Sequence, residues 1–422
     1  MNYVFETYFG VSFSLVQKGD ENESSNIFIC YKESKANNQL YFAAHPLLFE
    51  TDVHHQDIVC TTYNDHVIFF QVNDPDSALP YDPFALIFYM LTRYEEYLPF
   101  EADEHGRFPA KASLAYQNGF LDQPIVEQVI NDVLHCILGK FPSFQFKPPG
   151  FQFEVSYDVD APFAYRGKGF VKNLVGSFLM LINGRINQGI DRLGFTFLGG
   201  KDPFDHFFDI LSSLEEYQLK AFFFLLMEHK GKHNPAINYQ HYAFDILVNK
   251  LSKSHVLGIH PSYVCTSEEK LRTEQKRFEE VTQLRANISR NHFLRIKLPE
   301  TYQLLESAGI THDFSMAFPD HTGFRAGCSR PFPFYDLTKE TSTSVVIHPF
   351  CAMDATFEYY IKKGTEKEIM EQLKRLYNNV IGVNGVFHIV FHNDLISGYL
   401  SKRNWKKIMI EIMDYHHTKS SR

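Results

Sequence analysis

The sequence has one tryptophan in 422 residues, no closely spaced cysteines, no run of basic residues and no apolar stretch long enough to span a bilayer. Each absence excludes something. The six cysteines (Cys30, Cys60, Cys136, Cys265, Cys328, Cys351) are scattered, which fits neither a disulfide framework nor a structural zinc cluster and leaves free thiols in a reducing compartment. A formal charge of −9 with no basic stripe argues against a nucleic-acid partner, since nothing would track a phosphate backbone. No transmembrane segment is expected. The opening MNYVFETYFGVSFSLVQKGD has no basic flank, no long apolar centre and no small-residue cleavage site, so no signal peptide is expected and the chain reads as cytoplasmic.

What is present is a globular composition, 44% apolar and 22% charged, with a heavy load of 41 Phe and 23 Tyr. The length predicts two domains. FPSFQFKPPG, rich in Pro and Gly, is the expected linker, dividing the chain into 1–145 and 146–422. The first part reads as a smaller α/β domain in which Pro83 opens a helix with Phe84, Ile87, Phe88 and Leu91 on one face. Arg93, Glu95 and Glu96 follow it, and a solvated or domain-contact role is favoured over a binding cluster. In the second part FQFEVSY, AFFFLLM, VLGIH, ANIS, ITHDF, SVVIHPF and VFHIVFH alternate with helical stretches, which predicts a parallel sheet. Seven such strands suit a closed or nearly closed barrel. Asp202-Pro203, Pro299 and Ser267 are the expected helix openers and Gly309 a closer. A basic, Gly-punctuated stretch between Pro162 and Gly200 interrupts the first crossover and reads either as a lid or surface contact, or as one amphipathic insertion packed on the barrel.

The chemistry is expected at strand ends. In SYDVDA, Asp158 and Asp160 close an apolar strand and share a side if the strand geometry persists. Two carboxylates in one pocket call for a cation between them or a proton on one of them, although Asp pairs in turns and caps are as common. Other strand ends add His260, Arg290, His292, Asp313, His392 and Asp394. In parallel α/β folds ligands bind at these carboxyl ends, and the set supplies a base, a cation site and an acid.

These pieces, in this order, resemble the polysaccharide deacetylase superfamily over roughly residues 150 to 410. The resemblance implies a distorted seven-stranded (β/α) barrel. It implies that Asp158 of SYDVDA is the catalytic base and Asp160 a metal ligand, that His260 of GIHPSY is a second ligand, and that Arg290 of SRNHFLR pairs with the base. In VFHIVFHND the match to the histidine that protonates the leaving amine is His392, with His388, further inward on the same strand parity, in reserve. The segments YDPFALIFYMLTRYEEY and LRIKLPETYQLLESAGITHDFSMAFPDHTGFRAGCSRPF resemble a bacterial subgroup with an added N-terminal domain. One position departs: Val264 stands where the family has its second metal histidine, and His292 is the expected replacement. Arg325, His348 and Asp313, with the aromatic segment PFPFYD, are expected near the substrate, each with ordinary packing as the stronger single reading.

The implied activity is hydrolysis of an N-acyl, expected N-acetyl, group from an amino-sugar glycan or glycan precursor, with a divalent metal, zinc expected. A backbone N–H near His292 or Phe293 would hold the oxyanion. Two alternatives stay open: metal-independent hydrolysis of another C–N bond, and a catalytically inactive glycan-binding or assembly protein.

Overall fold

The computed structural model describes residues 1–14, 27, 29–32, 40–228, 233 and 239–420; the leader reading of residues 15–20 lies outside them. Four short strands precede the main sheet: β1 (Ile29–Lys32), β2 (Leu40–Ala43), β3 (Thr61–Tyr63) and β4 (His66–Ile68), in two separate pairs. Asp82 caps the helix α1 (Pro83–Leu91), accepting from the N–H groups of Phe84 and Ala85. This is the expected Pro83 opening. Next come α2 (Leu114–Gln117) and α3 (Ile125–Lys140).

The remaining strands are β5 (Gln152–Val159), β6 (Ala221–Leu226), β7 (Val256–His260), β8 (Ile288–Ser289), β9 (His312–Asp313), β10 (Phe332–Asp336), β11 (Thr341–Ile347), β12 (Ala352–Met353) and β13 (Val386–His392). They form one nine-stranded sheet in the order β10-β11-β9-β8-β7-β6-β5-β13-β12. All seven expected strands are in it. β10, antiparallel to β11, and β12, parallel to β13, are the two that the sequence reading lacked. They form the sheet's two edges and, among the described residues, are not paired with each other, so the hydrogen-bonded ladder described is open rather than a closed ring. Strands β5, β6 and β13 are neighbours, each flanked by a strand on both sides, and are buried along most of their length, which is why they read as near-continuous apolar runs.

One buried apolar core runs from the N-terminal stretch through the sheet. Its polar counterpart at the junction is a buried charge cluster. Glu96 accepts from Arg325 at 2.8 and 2.5 Å and from Arg93 at 2.8 Å, while Arg93 also reaches Glu95 at 2.7 Å. The charges after α1 are therefore a buried contact between the two stretches, not a solvated face. Burial without a partner would be prohibitive for each of them.

Two helix openings differ from expectation. Helix Phe207–Glu216 starts after His206, because the Asp202 carboxylate is turned back to accept the N–H groups of Ala164, Tyr165 and Arg166 at 2.7–2.8 Å. Pro299 is the N-cap, not the first residue, of Glu300–Ser307, whereas Ser267 caps Glu268–Thr282 as expected. The stretch inserted in the first crossover is a hairpin of two helices, α4 (Phe170–Ile182) and α5 (Ile186–Leu198), packed side by side. Among the described residues no helix is long and apolar enough to cross a membrane.

Candidate active site

Parallel pairing puts the carboxyl ends of the central strands side by side: Asp158 of β5 pairs in register with His392 of β13 and with Phe224 of β6, and Leu226 with His260 of β7. Asp158, Asp160, His260, His292 and His392 all line one cavity of about 390 Å³, together with Phe293, Tyr359, Tyr360 and Asp394. A cavity at these strand ends, walled by aromatic rings with a few convergent polar groups, is the usual form of a small-molecule site.

Arg290 is wholly buried and every nitrogen is used. Its Nη1 donates to Asp158 Oδ1 at 2.7 Å, Nη2 to Ser156 Oγ at 2.8 Å and Nε to the Phe314 carbonyl at 2.9 Å. The guanidinium lies between the rings of Phe224 and Phe350, 4.3 and 5.1 Å from their centroids. Gly258 permits this: a Cβ there would meet the Phe224 ring at 2.7 Å. Asp158 therefore presents one oxygen to a fixed cation. The other, Oδ2, lies 3.8 Å from His392 Nε2 and 3.9 Å from His260 Nε2.

His392 is oriented by a residue that the sequence reading did not single out. Asp354, buried just after the two-residue strand β12, accepts from the His392 backbone N–H at 2.7 Å and faces its Nδ1 at 2.6 Å. Burial opposes protonation of this imidazole, but the Asp354 carboxylate outweighs it and holds the pKa well above the ordinary histidine range. Asp394 lies beside it, its carboxyl pushed up to about 7 by burial.

Asp160, His260 and His292 converge, with one ligand atom from each lying within 4.8 Å of the others. His260 Nδ1 is 2.5 Å from the Arg290 carbonyl, which makes Nδ1 a donor, and Nε2 faces Asp160 Oδ1 at 3.2 Å. His292 Nε2 is 3.4 Å from Asp160 Oδ2. Burial works to raise the Asp160 pKa, and the two histidines, His292 foremost, overcome it and hold the carboxyl well below its usual range. Val264 lies outside the cavity lining, and His292 comes from the turn after β8.

Of the expected oxyanion donors, the His292 N–H is committed to the Pro261 carbonyl at 2.9 Å, which narrows the choice to Phe293. Phe293 lines the cavity with φ +63°, a strained backbone for an aromatic residue. Arg107, from the N-terminal stretch, fixes that turn by donating to the Phe293 carbonyl at 2.6 Å and to the Tyr360 hydroxyl at 3.0 Å.

Three expected substrate residues lie outside the lining of this cavity. Arg325 is spent on Glu96 in the buried charge cluster. Asp313 is turned into the core, where Ser289, Ser315 and Tyr302 donate to it. His348 stacks on Phe314 at 4.2 Å and meets His312, with burial lowering its pKa to about 3. None of the three lines the cavity, and PFPFYD lies in edge strand β10. The reserve candidate His388 is likewise inside, bonded to Ser156 Oγ at 2.8 Å.

In sequence, residues 1–142 match the model of a family of unknown function, DUF7033, while no curated protein matches the chain. Three of the solved structures that are similar to it are a Mycobacterium smegmatis protein described as a polysaccharide deacetylase, Puue allantoinase, and a polysaccharide deacetylase from Bacillus cereus. The first is 15% identical and covers 63% of this chain and 86% of that one, with a TM-score of 0.40. For the allantoinase the values are 11%, 64%, 88% and 0.40, and for the Bacillus cereus protein 11%, 64%, 88% and 0.29. The match to the sequence family, itself of unknown function, ends inside the Pro- and Gly-rich segment before β5.

Proposed function

We propose that the chain hydrolyses an N-acyl group, the acetyl group first among them, from an amino-sugar glycan or glycan precursor. The observation that carries this reading is the arrangement around Asp158: a buried carboxylate fixed by Arg290 through one oxygen, its other oxygen facing the cavity opposite His392 and beside the Asp160, His260 and His292 set. We further read the sheet as a distorted barrel and residues 1–145 as a separate N-terminal unit.

The ligand set fits a divalent cation, zinc by choice of nitrogen and oxygen donors. Asp160 Oδ1 and His260 Nε2 are buried, 3.2 Å from each other, and among the described residues have no other hydrogen-bond partner, an arrangement that leaves room for a shared cation. When bound, such a cation polarises an acyl carbonyl and acidifies water. Asp158 Oδ2 takes the proton as water adds to the carbonyl carbon, and Arg290, bonded to Oδ1, holds the carboxylate in position for that step. The Phe293 N–H steadies the oxyanion. His392 Nε2 then donates its proton to the nitrogen as the C–N bond breaks, giving a carboxylate and an amine.

Elemental analysis of the purified wild type beside Asp160→Ala and His260→Ala, with acetate release from N-acetylated oligosaccharides, tests the assignment. Near-stoichiometric metal in the wild type, lost in both variants together with acetate release, is expected. Acetate release unchanged in both variants would sink the ligand set; no hydrolysis by a metal-loaded wild type would sink the reaction.

A second measurement concerns the acid. Because Asp354 raises the His392 pKa, Asp354→Asn is expected to lower it, so that kcat/KM falls off at lower pH on the alkaline side than in the wild type. An unmoved alkaline limb would remove His392 from the acid role.

A further inference from the structure

The α4–α5 hairpin is built inside out. Its buried positions are small or polar: Asn173 and Ser177 on α4 and Gly189 on α5. Asn173 donates to the Tyr165 carbonyl at 3.0 Å and accepts from Arg192 at 3.2 Å, and Gly176 lies so close to Arg192 that a Cβ would meet its guanidinium at 2.1 Å. The large apolar side chains point the other way. Val171, Val175, Phe178, Ile182, Ile190 and Phe197 are 53–71% exposed. Between the helices a groove of about 340 Å³ is lined only by Leu174, Val175, Phe178, Leu181 and Leu193. A contiguous apolar face of this kind marks an interaction surface.

Charge identifies the occupant. The chain carries −9 overall, yet residues 165–201 hold six basic residues against one acidic, with Arg166 and Lys201 paired to Asp205 and Asp209 beyond them. Lys172 and Arg185 are exposed beside the apolar face and, among the described residues, have no ion pair. A second copy of the chain would bring an identical basic rim against this one, since a twofold contact apposes like surfaces. An anionic lipid surface brings the opposite sign, an apolar layer for the side chains and acyl tails for the groove.

We propose that this hairpin docks the protein on an anionic membrane surface, lying in the headgroup layer without spanning it. Its base adjoins the cavity. The hydroxyls of Tyr165 and Tyr399 are hydrogen-bonded, Gln188 donates to the Tyr399 carbonyl, and the next residue, Leu400, lines the cavity, as do Ala161 and Phe204 on either side of the insertion. Docking sets the cavity beside the headgroups, where a glycan carried on a lipid would be presented. That consequence rests on the proposed reaction; the docking does not.

Cosedimentation of the full chain with vesicles of phosphatidylglycerol and phosphatidylcholine in equal parts, against phosphatidylcholine alone, tests it. Binding is expected on the mixed vesicles and is expected to weaken in about 1 M salt, where the Debye length falls to about 3 Å. Phe178→Glu and, separately, Val171→Glu are expected to lower it on the order of tenfold or more, with far-UV circular dichroism and acetate release from soluble oligosaccharides unchanged. Hydrogen exchange of the wild type supplies a readout free of mutation: amides of residues 170–198 gain protection when mixed vesicles are added. No binding to the mixed vesicles, or a stable dimer that Phe178→Glu splits while vesicles leave exchange unaltered, overturns the proposal.

Discussion

Asp158→Asn is expected to lower the rate of acetate release about a thousandfold while leaving metal content intact, within the range general-base catalysis contributes. Asparagine keeps a side-chain oxygen for Arg290 Nη1, now at 2.7 Å from Asp158 Oδ1, so the buried guanidinium retains an acceptor. What it loses is the charged oxygen that faces His392 and the cavity. Asp158→Ala has a different signature. Both variants leave Arg290 buried without its anion, but Ala also removes the acceptor, and a loss of about 3–5 kcal/mol of stability, larger than in the Asn variant, is expected on top of the lost activity. Comparison of the two by initial rates and by urea denaturation separates proton transfer from structural support. Activity within tenfold of wild type in the Asn variant would remove Asp158 from the role of base.

Glu96→Gln is expected to cost about 3–5 kcal/mol, through the same physics at a site with no part in the reaction. Arg93 keeps Glu95, but Arg325, fully buried, loses both of its charged acceptor oxygens. Denaturant midpoints of wild type and variant check the magnitude, and KM is expected to stay unchanged because Arg325 is remote from the cavity lining. A change below about 1 kcal/mol, the range of solvated pairs, would show that the cluster is less buried than the structure has it.

Much of the sheet was legible because β5, β6 and β13 are buried on both faces and their apolar runs end in polar residues at one edge. Asp158 and His392 could be picked out for that reason, and His260 because it ends the short apolar run of β7. The edge strands were not legible: β12 has two residues, too few for any periodicity, and Asp354 goes unseen with it. Asp313 misled for the opposite reason. It too ends a strand, but a strand end says nothing of which way a side chain turns, and three neighbouring hydroxyls draw it into the core. The 162–200 stretch showed its basic and apolar content, yet not that Asn173 and Ser177 would be the buried positions.

The three backbone N–H groups gathered by Asp202 have a consequence for how the hairpin can be altered. The carboxylate holds residues 164–166, where the chain leaves the sheet, to the point at which it returns. The entry and exit of the insertion are thus fixed to each other independently of what lies between them, and loop closure costs little more as a loop lengthens. The hairpin is in this sense an interchangeable cassette: it can be shortened, or replaced by a hairpin with a different outer face, while the Asp158 strand keeps its anchorage.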